Sequence, residues 1–455
     1  MALPGSIQTS GNAPEARTIE INRRELSLQR LLTVYIGTGL FFLLLPGTFL
    51  GVWNLIAISE GHSATEVSAA WLQAHGHAQI FGWIGSFIIG IGFYSLSKMG
   101  NIEPFAVTRG WICWVLWTGG VLLRWTTNLY GWEWRAMLPV SALMELCAFL
   151  LFFHSISRQK RKHLQPATQS GGRKREVWMK LVLSSTIGFL LTLLANFGSA
   201  LYVALTSDTP ALTHAVDQRF LILALWGFVA LSIWGFSARW LPVFLGLRKP
   251  DDWMLLLALA CVSAGVITTG AGAARLGGVL LLIGAVSAVL GLHIFARPEQ
   301  PPKTQGIHGS FPVFVRLAYV WMLIAAATSI WALVSDQAGG IWGASRHALT
   351  VGFISTMVFS IGQRVLPAFC GMRTLFSPNL MFASLLTLNI GCVVRVGSEI
   401  AAYESNQAAA WRALPASAIL EMAAVTLFAL SLILTLLSPP AHEARQKGFQ
   451  TAQAS

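Results

Sequence analysis

Hydrophobic residues in this chain occur in runs of membrane-spanning length, separated by short polar stretches. A helix of about twenty apolar residues crosses a hydrocarbon core roughly 30 Å thick. Long unbroken runs, without strand-like alternation, argue against a membrane β-barrel. The pattern predicts an all-α polytopic membrane protein with about twelve spans: 30–58, 75–97, 108–128, 135–157, 177–205, 217–238, 253–272, 276–296, 312–335, 345–366, 378–400 and 411–437.

The overall composition supports the same class of protein. Hydrophobic residues make up 55% of the chain and charged residues only 11%. Soluble domains carry about 25% charged residues, so an ordinary soluble domain is excluded.

The net charge of +12 does not indicate a nucleic-acid partner, because basic residues are concentrated in alternate connections between spans. The positive-inside rule predicts that these connections are cytoplasmic, together with both termini. The predicted organisation is a single transmembrane domain at 29–437 that contains a basic cytoplasmic loop at 158–176. Cytoplasmic tails at 1–28 and 438–455 flank it.

A motif at the start of span two recurs at the start of span ten. His77-Ala and His347-Ala are each followed, five residues after the histidine, by a glycine. In spans three and eleven, Gly120 to Arg124 matches Gly391 to Arg395, and Pro139 to Glu145 in span four matches Pro415 to Glu421 in span twelve. Self-similarity of this kind indicates an internal repeat.

A more degraded copy lies between these two. Gly227-Phe228 in span six matches Gly352-Phe353 in span ten, which places Ile222 where the third copy has His347. The repeat predicts three units of four helices, at 29–157, 177–296 and 312–437. An even number of helices in each unit makes the units parallel in the membrane.

Histidines are the first candidates for chemistry. The predicted directions of spans two, six and ten place His75, His77, His214 and His347 near the outer face. Neutral imidazole is a common ligand of haem iron and other metals, although an interfacial histidine can also simply bond to a loop carbonyl. His75 and His77 lie about 200° apart around a helix, so they are predicted to face different sites.

Two arginines and two glutamates are the second group of candidates. A guanidinium within a membrane needs an anionic partner or a water-filled cavity, unless it extends to the interface. Arg124 and Arg395 are therefore predicted to neutralise a carboxylate, either a haem propionate or a glutamate. Glu145 and Glu421 are interpreted either as groups on a proton path or as protonated carboxyls bonded between helices.

The segments His75-Gly-His77-Ala-Gln-Ile-Phe-Gly82 and Arg346-His347-Ala-Leu-Thr-Val-Gly352 resemble the NnrS family, as does the later Gly362-Gln-Arg364-Val-Leu. That family consists of haem- and copper-containing bacterial inner-membrane proteins of the nitric-oxide response. Three four-helix units with histidines at one level are also similar, more weakly, to subunit I of the haem-copper oxidases. Span seven has no histidine, so a complete oxidase-type binuclear centre is not expected.

The resemblance implies a haem-binding protein of the bacterial inner membrane, with copper as a second candidate metal. Nitric oxide would be its gaseous ligand, and its role would be to bind nitric oxide, transfer electrons or protect other metal systems. His75, His77, His347, Arg124 and Arg395 are the predicted cofactor-binding residues, with His77, His347 and His214 as metal ligands. The alternatives are a proton-coupled secondary transporter that uses intramembrane Arg and Glu residues, and an accessory protein of another complex.

Overall fold

The computed structural model describes residues 12–99, 107–157, 176–336, 339–371, 373–405 and 407–438, with side chains given for 23–95 of the first range. The predicted basic loop and most of both predicted tails lie outside the described residues. The spans are numbered in chain order: α1 (Arg23–Gly61), α2 (Ala69–Ser95), α3 (Thr108–Tyr130), α4 (Trp134–Ser157), α5 (Val177–Thr206), α6 (His214–Leu245), α7 (Asp252–Gly270), α8 (Ala274–Gly291), α9 (Phe311–Ser335), α10 (Gly340–Phe369), α11 (Pro378–Ser405) and α12 (Ala408–Leu437).

These helices confirm the predicted fold class, an all-α polytopic membrane protein of twelve spans. Within the described ranges, eleven of them are long and apolar enough to cross a membrane by length and hydropathy. The twelfth, α3, has 23 residues and the length of a span, but four of its residues are tryptophans, which hydropathy scales rate as weakly polar. It packs along α4, which is one of the eleven.

Three spans form the centre of the molecule. In their most apolar windows, 83% of the residues of α2, 67% of those of α6 and 72% of those of α10 are buried, against 28–50% in the other spans so measured. Successive helices pack against each other around this centre, and α12 returns to pack against α1. The corresponding helices of the three units therefore meet at the middle of the bundle.

The same irregularity occurs at matching positions in all three central helices. A π-helical segment begins directly after His77 (Ala78–Gly85), Ile222 (Leu223–Ala230) and His347 (Ala348–Ser355). Ile222 thus occupies the position that the repeat assigned to it. A π-helical turn inserts a residue and re-aims the side chains beside it, and such turns are frequent at functional sites.

Close backbone packing between α5 and α6 explains one glycine and gives a prediction. A Cβ atom added to Gly188 would lie 1.9 Å from the carbonyl oxygen of Gly227, whereas one added to Gly198 in the same helix would meet nothing within 4 Å. Gly188→Ala is therefore expected to lower the free energy of unfolding by about 1–3 kcal/mol, as overpacking does. Thermal unfolding in detergent should show the loss for Gly188→Ala and none for Gly198→Ala; equal effects would contradict this packing.

Candidate functional site

His75 lies on α2 and is oriented by α1. Its Nδ1 is 2.9 Å from the carbonyl oxygen of Gly47, which can only accept a hydrogen bond, so Nδ1 carries the proton. The ring packs so closely on Gly51 that a Cβ there would lie 2.6 Å from the imidazole Cε1. Because Nδ1 carries the proton, the lone pair on Nε2 of His75 can bind a metal ion.

His347 has a similar arrangement on α10. Its Nδ1 donates to the carbonyl oxygen of Gly343 at 2.8 Å and lies 3.1 Å from Oε2 of Glu399. Its Nε2 lies 3.4 Å from Nη2 of Arg395, which can donate to it. Donation from Nδ1 to a carbonyl or carboxylate is the usual way in which proteins orient metal-ligating histidines.

The structure brings these two histidines together. His75 lies close enough to His347, Arg395 and Arg346 to interact with them electrostatically. Both rings retain accessible surface: the side chain of His347 is 25% exposed, and His75 is intermediate between buried and exposed. Two partly accessible imidazoles from different units are thus within electrostatic range of each other.

His77 faces a different site, as the spacing from His75 predicts. Its Nε2 lies 2.7 Å from Oε1 of Glu145 on α4, and its ring stacks on Phe81 at a centroid distance of 4.4 Å. Asn196 on α5 donates to the other carboxylate oxygen of Glu145 at 3.0 Å. This buried group connects the first and second units, while a ligand role for His77 stays a prediction.

Arg124 and Arg395 are buried, with 6% and 7% of their surface exposed. In each guanidinium, Nε and Nη1 have no hydrogen-bond partner. Nε of Arg395 lies 3.3 Å from Oε2 of Glu399, but not in a geometry that makes a hydrogen bond. Unpartnered charged donors inside a membrane are costly, so both arginines are suited to bind an additional anionic group.

Sequence reasoning missed several polar residues around these histidines. Glu399 follows Arg395 by four residues, a spacing that places two side chains on one helix face, but the matching position after Arg124 is Asn128, so the repeat gave no signal for it. Asp217 on α6 interacts electrostatically with Arg346 and Arg124. Neither Asp217 nor Asn196 belongs to a repeated motif.

The two remaining predicted residues, Glu421 and His214, differ in exposure: Glu421 has a buried carboxylate oxygen, whereas His214 is exposed. Gly391 packs on Glu421 in α12 as Gly120 packs on Glu145, so the two glutamates are equivalent in space. Glu421 Oε1 is nevertheless buried without a hydrogen-bond partner. His214 is exposed at the start of α6, where its Nε2 lies 3.2 Å from the amide nitrogen of Gln218.

Within the described ranges, no group of three or more His, Cys, Asp or Glu side chains is placed to hold a metal ion.

Fold and site together define a polytopic helical membrane protein with a polar, histidine-containing interior. A family model described as "Domain of unknown function (DUF8744)" matches residues 189–437. This match spans more than half of the chain, so the chain belongs to that family. A comparison with curated proteins returns no match.

Among solved structures, the chain is similar to a haem-copper terminal oxidase whose dimer was determined by cryo-EM. The TM-score is 0.52 and the sequence identity 13%, with 93% of this chain and 85% of that chain covered. This similarity confirms the predicted architectural resemblance and concerns the fold. Membership of the NnrS family stays a prediction.

Proposed function

We propose that this protein binds haem between α2 and α10, where His75 and His347 would be the iron ligands; Nε2 of His347 would exchange its contact with Arg395 for the iron. The observation that carries the proposal is the matched orientation of the two rings. Each Nδ1 is held by a carbonyl oxygen, at 2.9 Å for His75 and 2.8 Å for His347, and the two rings lie within electrostatic range of each other. Bis-histidine ligation is one of the ways in which proteins hold electron-transfer haem.

The arginines at this level support the same proposal. Arg124 and Arg395 have unpartnered guanidinium nitrogens, and Arg346 lies near His75 and Asp217. Haem propionates are carboxylates, and bidentate binding of carboxylates is the geometry that guanidinium favours. The residues present therefore fit the charged edge of a haem as well as its iron.

Haem held by two histidines would supply one-electron chemistry, and a gaseous ligand would bind its iron by replacing one of them. The protein's own part is to orient the imidazoles: the carbonyls of Gly47 and Gly343 fix the tautomers, and Oε2 of Glu399 lies 3.1 Å from Nδ1 of His347. Nitric oxide as the ligand, a role in the nitric-oxide response, and a bacterial inner membrane with both termini cytoplasmic belong to the same proposal. They rest on the resemblance to the NnrS family, as does copper as a second metal.

The proposal is tested by purifying the full chain in detergent from haem-supplied cells. We expect a Soret absorption band, a haem content near one per chain in a pyridine haemochrome assay, and a spectral shift when nitric oxide is added to the reduced protein. Elemental analysis of the same sample measures copper. A colourless, iron-free protein that does not take up added haem would contradict haem binding; a haem spectrum insensitive to nitric oxide would contradict only the choice of ligand.

One glycine offers a test of how His347 is held. A Cβ at Gly343 would lie 2.0 Å from Oε1 of Glu399, so Gly343→Ala must displace that carboxylate from His347. Because loss of an outer partner typically weakens metal binding about 10–100-fold, haem retention during dilution is expected to fall. Gly397→Ala is the control, since a Cβ there meets nothing within 4 Å. Equal haem retention in the two variants would contradict a supporting role for Glu399.

A proton-coupled transporter is the second candidate function. It is favoured by Glu421, which has a buried oxygen without a hydrogen-bond partner and interacts electrostatically with Arg395 and His347. Intramembrane carboxylates that lack a fixed partner are typical of proton paths. Proton-coupled solute uptake into vesicles that is lost in Glu421→Gln would support this function, and its absence across candidate solutes would weigh against it.

A further inference from the structure

A cavity lies on the central axis of the molecule, between the three innermost helices. Its volume is about 110 Å³, and every residue that lines it belongs to α2, α6 or α10. Ile84 and Val229 lie at its end nearest the histidines, and Ile361 and Val365 lie towards the other end. Ile84 is seven residues beyond His77, so the cavity begins roughly 10 Å along the helix from the histidine level.

The lining is almost entirely apolar. It consists of aliphatic and aromatic side chains, with a methionine, a glycine and two serines as the exceptions. One of the serines, Ser232, is already hydrogen-bonded to Ser185 on α5, whereas Oγ of Ser237 is buried without a hydrogen-bond partner. No charged or amide side chain among the described residues lines the cavity. A buried water needs two to four polar partners, and one serine hydroxyl does not supply them.

The volume restricts what can bind. Drug-sized ligands and cofactors occupy pockets of about 300–1,000 Å³, and this cavity is several times smaller. An apolar cavity of about 150 Å³ in another protein stays dry and binds benzene or xenon. The occupant is therefore small, uncharged and apolar.

We infer that this cavity is a binding site for small apolar molecules of the size and chemistry of dissolved diatomic gases. The site rests on the proposed function for its physiological meaning, since a gas held here would lie beneath the proposed haem, on the side away from the predicted outer face. The binding itself depends only on the shape and apolarity of the α2–α6–α10 interface.

Xenon is the probe for this site, because it binds apolar cavities and is located by anomalous diffraction. Crystals of the full chain under xenon pressure are expected to show one anomalous peak between Ile84, Val229 and Val358. Val358→Phe places a larger side chain into the cavity and is expected to remove the peak. Val115→Phe makes the same change on α3, where the side chain is 57% exposed, and is expected to retain it.

The outcomes separate the two proposals. An empty or water-filled cavity in the wild-type protein under xenon, or a peak unchanged in Val358→Phe, would overturn the gas site. Should Val358→Phe fail to fold, Ile361→Phe fills the same cavity one turn further along α10. Haem content is measured on the same preparations. Xenon bound without haem would support the gas site and overturn the haem proposal. Haem bound without xenon would support the haem proposal and overturn the gas site.

Discussion

Replacing His75 or His347 with alanine is expected to abolish stoichiometric haem binding, while His154→Ala leaves it unchanged. The proposed axial ligands come from α2 and α10, and each already has its Nδ1 engaged by a carbonyl oxygen. Removing either ring deletes an iron ligand. His154 provides the control, because it is exposed in the last turn of α4, at the end of the bundle away from the site.

The measurement is the haem-to-protein ratio after size-exclusion chromatography, together with the absorption spectrum of any haem that remains. A single-ligand variant that retains haem should change from a low-spin to a high-spin spectrum, and added imidazole should reverse that change. Neither effect is expected from general unfolding. Unchanged haem content and spectra in both His75→Ala and His347→Ala would eliminate these residues as ligands.

His77→Ala distinguishes between the two neighbouring histidines. The structure engages Nε2 of His77 with Glu145 at 2.7 Å, so this variant is expected to lose stability and to retain haem when assayed under stabilising conditions. Loss of haem in His77→Ala, with retention in His75→Ala, would reverse the assignment and favour His77 as the ligand. His214→Ala tests the remaining predicted metal ligand, which is exposed, and is expected to keep its haem.

Replacing Glu145 with alanine is expected to have the largest effect on stability. Glu145 has no exposed surface, accepts from Asn196 and pairs with His77, which is itself 7% exposed. Removing one partner of a buried pair leaves the others unsatisfied and costs about 3–5 kcal/mol. Because the group joins α2, α4 and α5, the loss should loosen the contact between the first and second units.

A double-mutant cycle separates this interaction from simple loss of volume. The stability changes of Glu145→Ala, His77→Ala and the double variant are compared by thermal unfolding in one detergent, and the double variant is expected to lose less than the sum of the singles. Glu176→Ala is the control: its carboxylate is 66% exposed and 4.0 Å from Arg239, so its loss is expected to cost about 0–1 kcal/mol. Additive single effects, or a Glu145→Ala loss no larger than that of Glu176→Ala, would contradict the pair.

The number of spans and their approximate positions follow from the amino-acid sequence alone, although some helices extend beyond the predicted spans; α2, for example, begins at Ala69 and not at residue 75. Span five was predicted at 177–205 and is observed at Val177–Thr206, because the length of an apolar run is a local property matched to the thickness of the bilayer. The repeat was equally visible in the sequence, including the position of Ile222, since matching residues keep nearly constant spacing. The sequence does not show which anion pairs with Arg124 or Arg395, because that pairing depends on neighbours from other helices.

Only the tertiary structure decided which histidine faces which partner. The spacing of His75 and His77 places their side chains on different faces of α2. Which of them lies near α10 and which pairs with Glu145 depends on how α2 is rotated among its neighbours. The π-helical segments after His77 and His347 add to this, since one inserted residue turns everything beyond it by about 100°. Glu399 beside His347 and the central cavity arise from packing between helices distant in sequence, where local hydrophobic pattern carries no information.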